Sequence, residues 1–417
     1  MFLLMAFKNA DWLDIKRAVA YPRIFMLVYI LVGVAFGTGA MKIASPDGSA
    51  FGFDFMNVYA AGVAVHEGRP VDAYDWKGQG ERERRIDESL NKNPEVVPDT
   101  GAKPYYYLPW LYPPTFLSVG WLFALLPFLA ALAAYSAVGF LAYGAVLYKI
   151  IAERHKAAIW ATAAFPGLYV NLLAGQNGAM TTALLGAGLL FLDKTPIAAG
   201  IFFGLLSYKP HLFVLVPLVL FAGRYWKALA ATLVSAGVCA SLSLAAFGLD
   251  SWLAFIQGLG SARSVFLESD GAFRWLGIMH SPFSAVRLLG GSVQAAYAVQ
   301  TGIAVCVVFI LLYIWSRKAT SLSIRASALC GVILLASPYS FGYDQVLLAL
   351  PIAFLAKEGI ENGFLSFEKI FLFALWLLPA FAKDGGENYA VPLTPPMLMG
   401  LLAFSWLRMK RELSVQK

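Results

Sequence analysis

Apolar and polar positions along this chain alternate in long blocks, not at the short period of a half-buried strand. Runs of mostly apolar residues, near the length that crosses a bilayer, recur from Ile24 to the C-terminal region. Short loops between them collect Lys and Arg. The pattern predicts an all-α integral membrane protein. The first run, 24–40, follows Lys8, Lys16, Arg17 and Arg23 and has no small-residue cleavage site soon after it, so it reads as a retained helix. Residues 1–21 read as a short amphipathic segment lying on the cytoplasmic surface. Run length and loop charge together give about twelve spanning helices in a single polytopic domain. They fall near 24–40, 130–148, 157–174, 178–192, 196–208, 210–222, 228–247, 293–315, 326–339, 345–356, 370–382 and 395–408.

Two longer stretches break this rhythm, residues 42–128 and 248–280. The first contains FDFMNVYAAGVAVHEGRPVDAYD, starting at Phe53. Apolar or small residues at Phe55, Val58, Tyr59, Gly62 and Val65 predict an amphipathic interfacial helix, which Gly68 and Pro70 end. Asp54 then lies at the membrane–water boundary. It is either the N-cap of a helix beginning at Phe55 or a carboxylate placed to take a proton from a substrate hydroxyl. The following WKGQGERERRIDESLNKN reads as a solvated charged helix without chemistry.

Residues 111–128 decide the topology. As a span they would put the basic majority of later loops outside. As an interfacial or re-entrant piece broken by Pro113, Pro114 and Pro127, they leave Lys149, Arg154, Lys156, Arg224, Lys227, Arg317 and Lys318 on the side of the N-terminus. The positive-inside tendency favours the second arrangement, with both termini cytoplasmic and 42–128 and 248–280 as periplasmic loops.

Composition agrees with the pattern: 59% of residues are hydrophobic and 14% charged, which excludes an ordinary soluble domain. The net charge of +7 calls for no nucleic-acid partner, because the basic residues sit where they set topology. Cys239, Cys306 and Cys330 have no paired spacing and suggest neither a disulfide nor a metal site.

With this topology, polar residues at helix ends gather on the outer face: Asp54, Tyr105, Tyr106, Tyr107, Gln176, Asn177, Lys209, His211, His280, Tyr343, Asp344 and Gln345. Ionisable groups beside apolar runs are costly, which makes Lys209 and Asp344 functional candidates. Lys209 and His211 have the chemistry to hold a phosphate, although a lone helix-end Lys also serves simply to snorkel. Gln176 and Asn177 stand between two glycines, a signature shared with plain tight turns. The aromatic group Tyr105–Tyr107, Trp110 and Tyr112 suits sugar stacking, a prenyl groove or an interfacial belt.

Taken in order, DFMNVYAAGVAVHEGRPVDAYD, YLPWLYPPTF, GQNGAMTTALL, GIFFGLLSYKPHLFVLVPLVLFAGRYW and SPYSFGYDQVLLALP resemble family 87 glycosyltransferases over most of residues 20–360. These are integral-membrane enzymes of the GT-C fold, similar to polyprenol-phosphate-mannose-dependent mannosyltransferases of bacteria. The resemblance implies an inner-membrane enzyme with a periplasm-facing site. Its substrates would be a lipid-linked sugar donor and a glycolipid or glycan acceptor. It carries the family's essential carboxylate onto Asp54 as general base, with inversion at the sugar. Lys209 and His211 then bind the donor phosphate, while Gln176, Asn177, Tyr343, Asp344, Gln345 and Tyr107 contact sugar or acceptor. The outer loops contain no Asp-x-Asp motif, so no obligatory metal or other cofactor is expected. A secondary transporter or lipid-linked-sugar flippase fits the composition equally well. The missing internal repeat and the long first loop argue against it.

Overall fold

The computed structural model describes residues 7–37, 52–90, 110–269, 272–388 and 392–415. Regular structure among them is helical throughout, apart from one isolated antiparallel bridge, Met279 to Phe341. Tyr105, Tyr106 and Tyr107 lie outside the described residues.

Four helices among the described residues are long and apolar enough to cross a membrane: Ile15–Ala35, Phe128–Ala152, Trp226–Glu268 and Val293–Ser316. Six apolar helical stretches are shorter, and proline accounts for several of the breaks. The 157–174 run splits into Ala158–Ala163 and Pro166–Ala174, with Pro166 in the first turn of the second helix, where its missing N–H costs nothing. Pro217 cannot bond to the Phe213 carbonyl, and the 210–222 run divides there into Pro210–Phe213 and Leu215–Ala222.

Three segments take more definite form than the sequence suggests. The N-terminal helix begins at Ile15, with Asp14 Oδ1 accepting the Arg17 N–H at 2.9 Å, so the helix absorbs the end of the expected surface segment. Much of the stretch expected as loop after residue 248 is helical. Gly248, at φ 78° and ψ 166°, leaves helical geometry and divides the stretch Trp226–Arg263 into two helices across a kink. The charged helix Trp76–Leu90 is not simply solvated, because it buries Gln79, Arg82 and Glu83.

The reason lies in the Phe53–His66 helix, which is covered on two sides instead of floating at an interface. On one side it crosses Leu117–Phe123 through facing glycines; a Cβ on Gly62 would sit 2.1 Å from the Gly120 carbonyl oxygen. By helical rise Pro114–Phe123 reaches only about 15 Å, half of a ~30 Å hydrocarbon core, and it lies against this helix. On the other side Gln79 Nε2 donates to the Asn57 carbonyl at 3.0 Å, and Asn57 Nδ2 donates to Glu83 Oε1 at 2.9 Å. Arg82 reaches Glu67 at 3.2 Å and Asp72 at 3.1 Å. Phe55, Met56, Val58, Ala60, Ala61 and Ala64 are consequently all buried. A charged helix can bury one face when a neighbour supplies a partner for each charge.

Candidate functional site

The Phe53–His66 helix starts one residue before Asp54. Its N-cap is Gly52, left-handed at φ 77° with no side-chain cap bond, so Asp54 is not the cap. It stands in the first helical turn, where the helix dipole favours a carboxylate. Gln176 Nε2 donates to Asp54 Oδ2 at 3.0 Å, and the Tyr112 hydroxyl donates to Gln176 Oε1 at 3.1 Å. A partly exposed carboxylate is thereby held in a fixed orientation by an amide that is itself fixed by a phenol.

The GQNG turn does more than reverse the chain. Gly175 ends the Pro166–Ala174 helix at φ 71°. A Cβ there would lie 2.9 Å from both Gly52 Cα and Phe55 Cβ, and Gly52 N–H donates to the Leu173 carbonyl at 3.0 Å. A Cβ on Gly178 would lie 2.7 Å from the Tyr343 carbonyl oxygen. The two glycines let one turn dock against residues 52–55 on one side and against 343–346 on the other.

Lys209 Nζ donates to Asp344 Oδ1 at 2.7 Å, with both side chains almost wholly buried at 2% and 3% exposure. The second carboxylate oxygen accepts the Phe341 N–H at a long 3.3 Å. The Lys209 ammonium lies 5.4 Å from the centre of the Tyr343 ring. Lys209 sits at the break between residues 206–208 and the Pro210–Phe213 helix, where the backbone leaves helical geometry. The buried Asn177 amide is poorly satisfied, with the Tyr112 hydroxyl as a neighbouring polar group and no well-formed hydrogen bond at its nitrogen or oxygen. His211 Nε2 is likewise buried and unpartnered.

Not every expected residue faces this cluster. Gln345 Nε2 donates to Thr394 Oγ1 at 3.0 Å, which commits it to the C-terminal helix. His280 N–H donates to the Ser340 carbonyl at 2.7 Å, pinning the second loop to the 341–344 turn. Burial pushes the His280 imidazole down to about 4, so it is neutral at physiological pH. Lys209 is ion-paired with Asp344, not the lone helix-end charge that its sequence position suggests.

Four contributors escape sequence reasoning. Tyr208 and Thr181 share a 2.7 Å hydroxyl contact, Phe116 stacks on Tyr208 at 4.6 Å, and Asn57 carries the link to Glu83. Only Tyr208, adjacent to Lys209, had a usable signal. Among the described residues no three His, Cys, Asp or Glu side chains converge as metal ligands. Compared with known families, residues 110–338, more than half of the chain, match the model of glycosyltransferase family 87. No curated protein and no solved structure matches the chain.

Proposed function

The chain belongs to glycosyltransferase family 87 and is a membrane glycosyltransferase, and from that premise we propose that it moves a hexose, mannose first among them, from a polyprenyl-phosphate-linked donor to a lipid or glycan acceptor. Asp54 removes the acceptor proton as the acceptor oxygen attacks the anomeric carbon. The bond from that carbon to the phosphate oxygen breaks in the same step, with inversion, and polyprenyl phosphate leaves. The leaving group is a stable anion, so it needs charge stabilisation more than a proton. An ammonium has three N–H donors. Lys209 spends one on Asp344, which steadies it to direct the others at the phosphate, and His211 adds a donor nearby.

Asn177, Tyr343 and Asp344 orient the sugar, with Gln345 bracing them from behind. The proposal places this site at the periplasmic face of a bacterial inner membrane. It keeps about twelve spans, the shorter ones tilted or broken, and both termini in the cytoplasm. No metal takes part.

The observation that carries this reading is the 3.0 Å contact between Gln176 and Asp54, which joins residues far apart in sequence around a partly exposed carboxylate. The test is transfer of labelled sugar from a polyprenyl-phosphate donor by purified protein. Asp54→Asn is expected to keep fold and donor binding and to lose about 10²–10⁴-fold in rate, the range that general base catalysis supplies. Unchanged turnover would remove Asp54 from the role. Excess chelator is expected to leave wild-type turnover unaltered; a loss restored by a divalent cation would overturn the metal-free step.

A further inference from the structure

A cavity of about 600 Å³ lies at the other end of the bundle from Asp54. The Phe128–Leu147 helix measures the separation. The Phe128 ring packs 5.6 Å from that of Phe55, whereas Tyr143, a wall of the cavity, lies roughly 22 Å further along by helical rise. The cavity lies between the start of the N-terminal helix, residues 13–22, and the helices behind it. That helix is nearly unburied along its apolar length and is attached by aromatic contacts, Phe25 to Trp376 at 5.1 Å and Tyr21 to Phe373 at 5.9 Å.

The walls are apolar, built by Tyr21, Phe165, Ile352, Phe373 and Trp376 among others. The charged and titratable groups in the lining are Asp14, Arg17, His155 and Lys369. Arg17 and Lys369 each have a polar partner of their own. Arg17 donates to the Trp12 carbonyl, and Lys369 lies 3.6 Å from Asp11, which is 81% exposed. Asp14 accepts the Arg17 backbone N–H. His155 Nε2 is buried and has no partner.

We infer that this cavity holds one chain of an anionic phospholipid, with the phosphate at Arg17, His155 and Lys369. Protein interiors are close-packed, and an unfilled apolar space forfeits the dispersion contacts of its lining. The volume falls within the roughly 300–1,000 Å³ range of sites that enclose small molecules. What a bilayer offers such a space is hydrocarbon chain. The basic lining residues Arg17 and Lys369 favour a negative headgroup, and His155 Nε2 supplies a hydrogen-bonding position that the protein leaves unused. The distance from Asp54 separates this site from the transfer reaction, and the inference stands whether or not the donor assignment above holds. The bound lipid would fasten the N-terminal helix to helices 158–163 and 349–362.

The experiment is native mass spectrometry of the purified full chain released from nanodiscs of phosphatidylcholine alone or mixed with phosphatidylglycerol. One phosphatidylglycerol is expected to stay bound to the wild type. Arg17→Gln and Lys369→Gln are each expected to lower retention about fivefold, the factor one basic side chain is worth beside anionic lipid. Ala353→Trp, which fills the cavity, should abolish retention and leave sugar transfer intact. If that variant misfolds, a phosphatidylglycerol carrying a photoreactive acyl chain gives the answer on wild type, by crosslinking to residues 158–165 and 369–376. Equal retention of phosphatidylcholine, retention of polyprenyl phosphate instead, or crosslinks confined to other helices would each overturn the inference.

Discussion

Two ion pairs are buried among the described helices, and they are built differently. Arg408 and Glu368 join the C-terminal helix to its neighbour through two parallel contacts, 2.5 and 2.6 Å. Glu368 Oε2 also accepts the Leu365 N–H at 2.8 Å, and Arg408 reaches the Gly363 carbonyl at 3.3 Å. That pair is saturated. Lys209 and Asp344 share one contact at 2.7 Å, the other Asp344 oxygen has only a long 3.3 Å bond from the Phe341 N–H, and close by are an aromatic ring, the poorly satisfied Asn177 amide and the unpartnered His211 nitrogen. Burying a polar group without a partner costs free energy, so the second arrangement is poor as a latch. It makes sense as a surface prepared for a ligand. Burial alone does not separate structural charges from functional ones; the count of satisfied hydrogen bonds does.

The sharpest way to break this comparison is to make both pairs neutral and apolar. Replacing a whole buried ion pair by well-packed apolar residues is often neutral in stability. Arg408→Met with Glu368→Leu is therefore expected to retain sugar transfer within a few-fold. Lys209→Met with Asp344→Leu should fold comparably and lose transfer by about 10²-fold or more, as for loss of a transition-state charge donor. Equal activity of the two double variants would erase the distinction. Breaking only one partner gives a smaller, purely structural signal. Glu368→Gln strands Arg408 and is expected to destabilise by about 3–5 kcal/mol, read as a lower midpoint of thermal unfolding in detergent. A milder change sharpens the catalytic side. Tyr112→Phe deletes only the hydroxyl that donates to Gln176, and about 1 kcal/mol, roughly fivefold in kcat, is expected. An effect on KM alone would instead place Tyr112 in ground-state binding.

How much of this was legible in the sequence follows from what kind of signal each feature leaves. Helices and their apolar runs were legible, because periodicity and length are local properties. The breaks at Phe165–Pro166 and around Val214 were visible only as prolines, and the sequence did not say which would split a helix. Asp54 and Gln176 stood out because polar residues are scarce between apolar runs. Their contact depends on Gly52 and Gly175 approaching within van der Waals range, and that is a tertiary fact. The pairing of Lys209 with Asp344 was hidden for the same reason. Each residue read as a lone helix-end charge, and a partner so distant in sequence has no local trace. The Trp76–Leu90 helix misled in the opposite direction: its charges suggested water, yet Arg82 and Glu83 are buried because the 53–72 segment provides their partners.

That docked helix yields the gentlest test, in pH. Glu67 is pulled two ways: burial works to raise its carboxyl, while hydrogen bonds and charge from Arg82 and then Arg69 outweigh burial and hold it below the ordinary glutamate value. A carboxylate whose pKa is lower folded than unfolded adds stability that is complete above the unfolded pKa. That contribution fades as the pH falls through the lowered folded value. Wild type is therefore expected to lose part of the attachment of the Trp76–Leu90 helix in mild acid. Glu67→Gln, already without the charge, should begin less stable at neutral pH and show a flatter acid response. Both pairs involving Glu67 are partly exposed, at 31% for its side chain, so the difference is small and shrinks with added salt. Amide hydrogen exchange across residues 76–90 reports it directly. Identical acid profiles for wild type and Glu67→Gln would mean that Asp72 alone holds Arg82, and that the helix stays docked through Asn57 and Glu83.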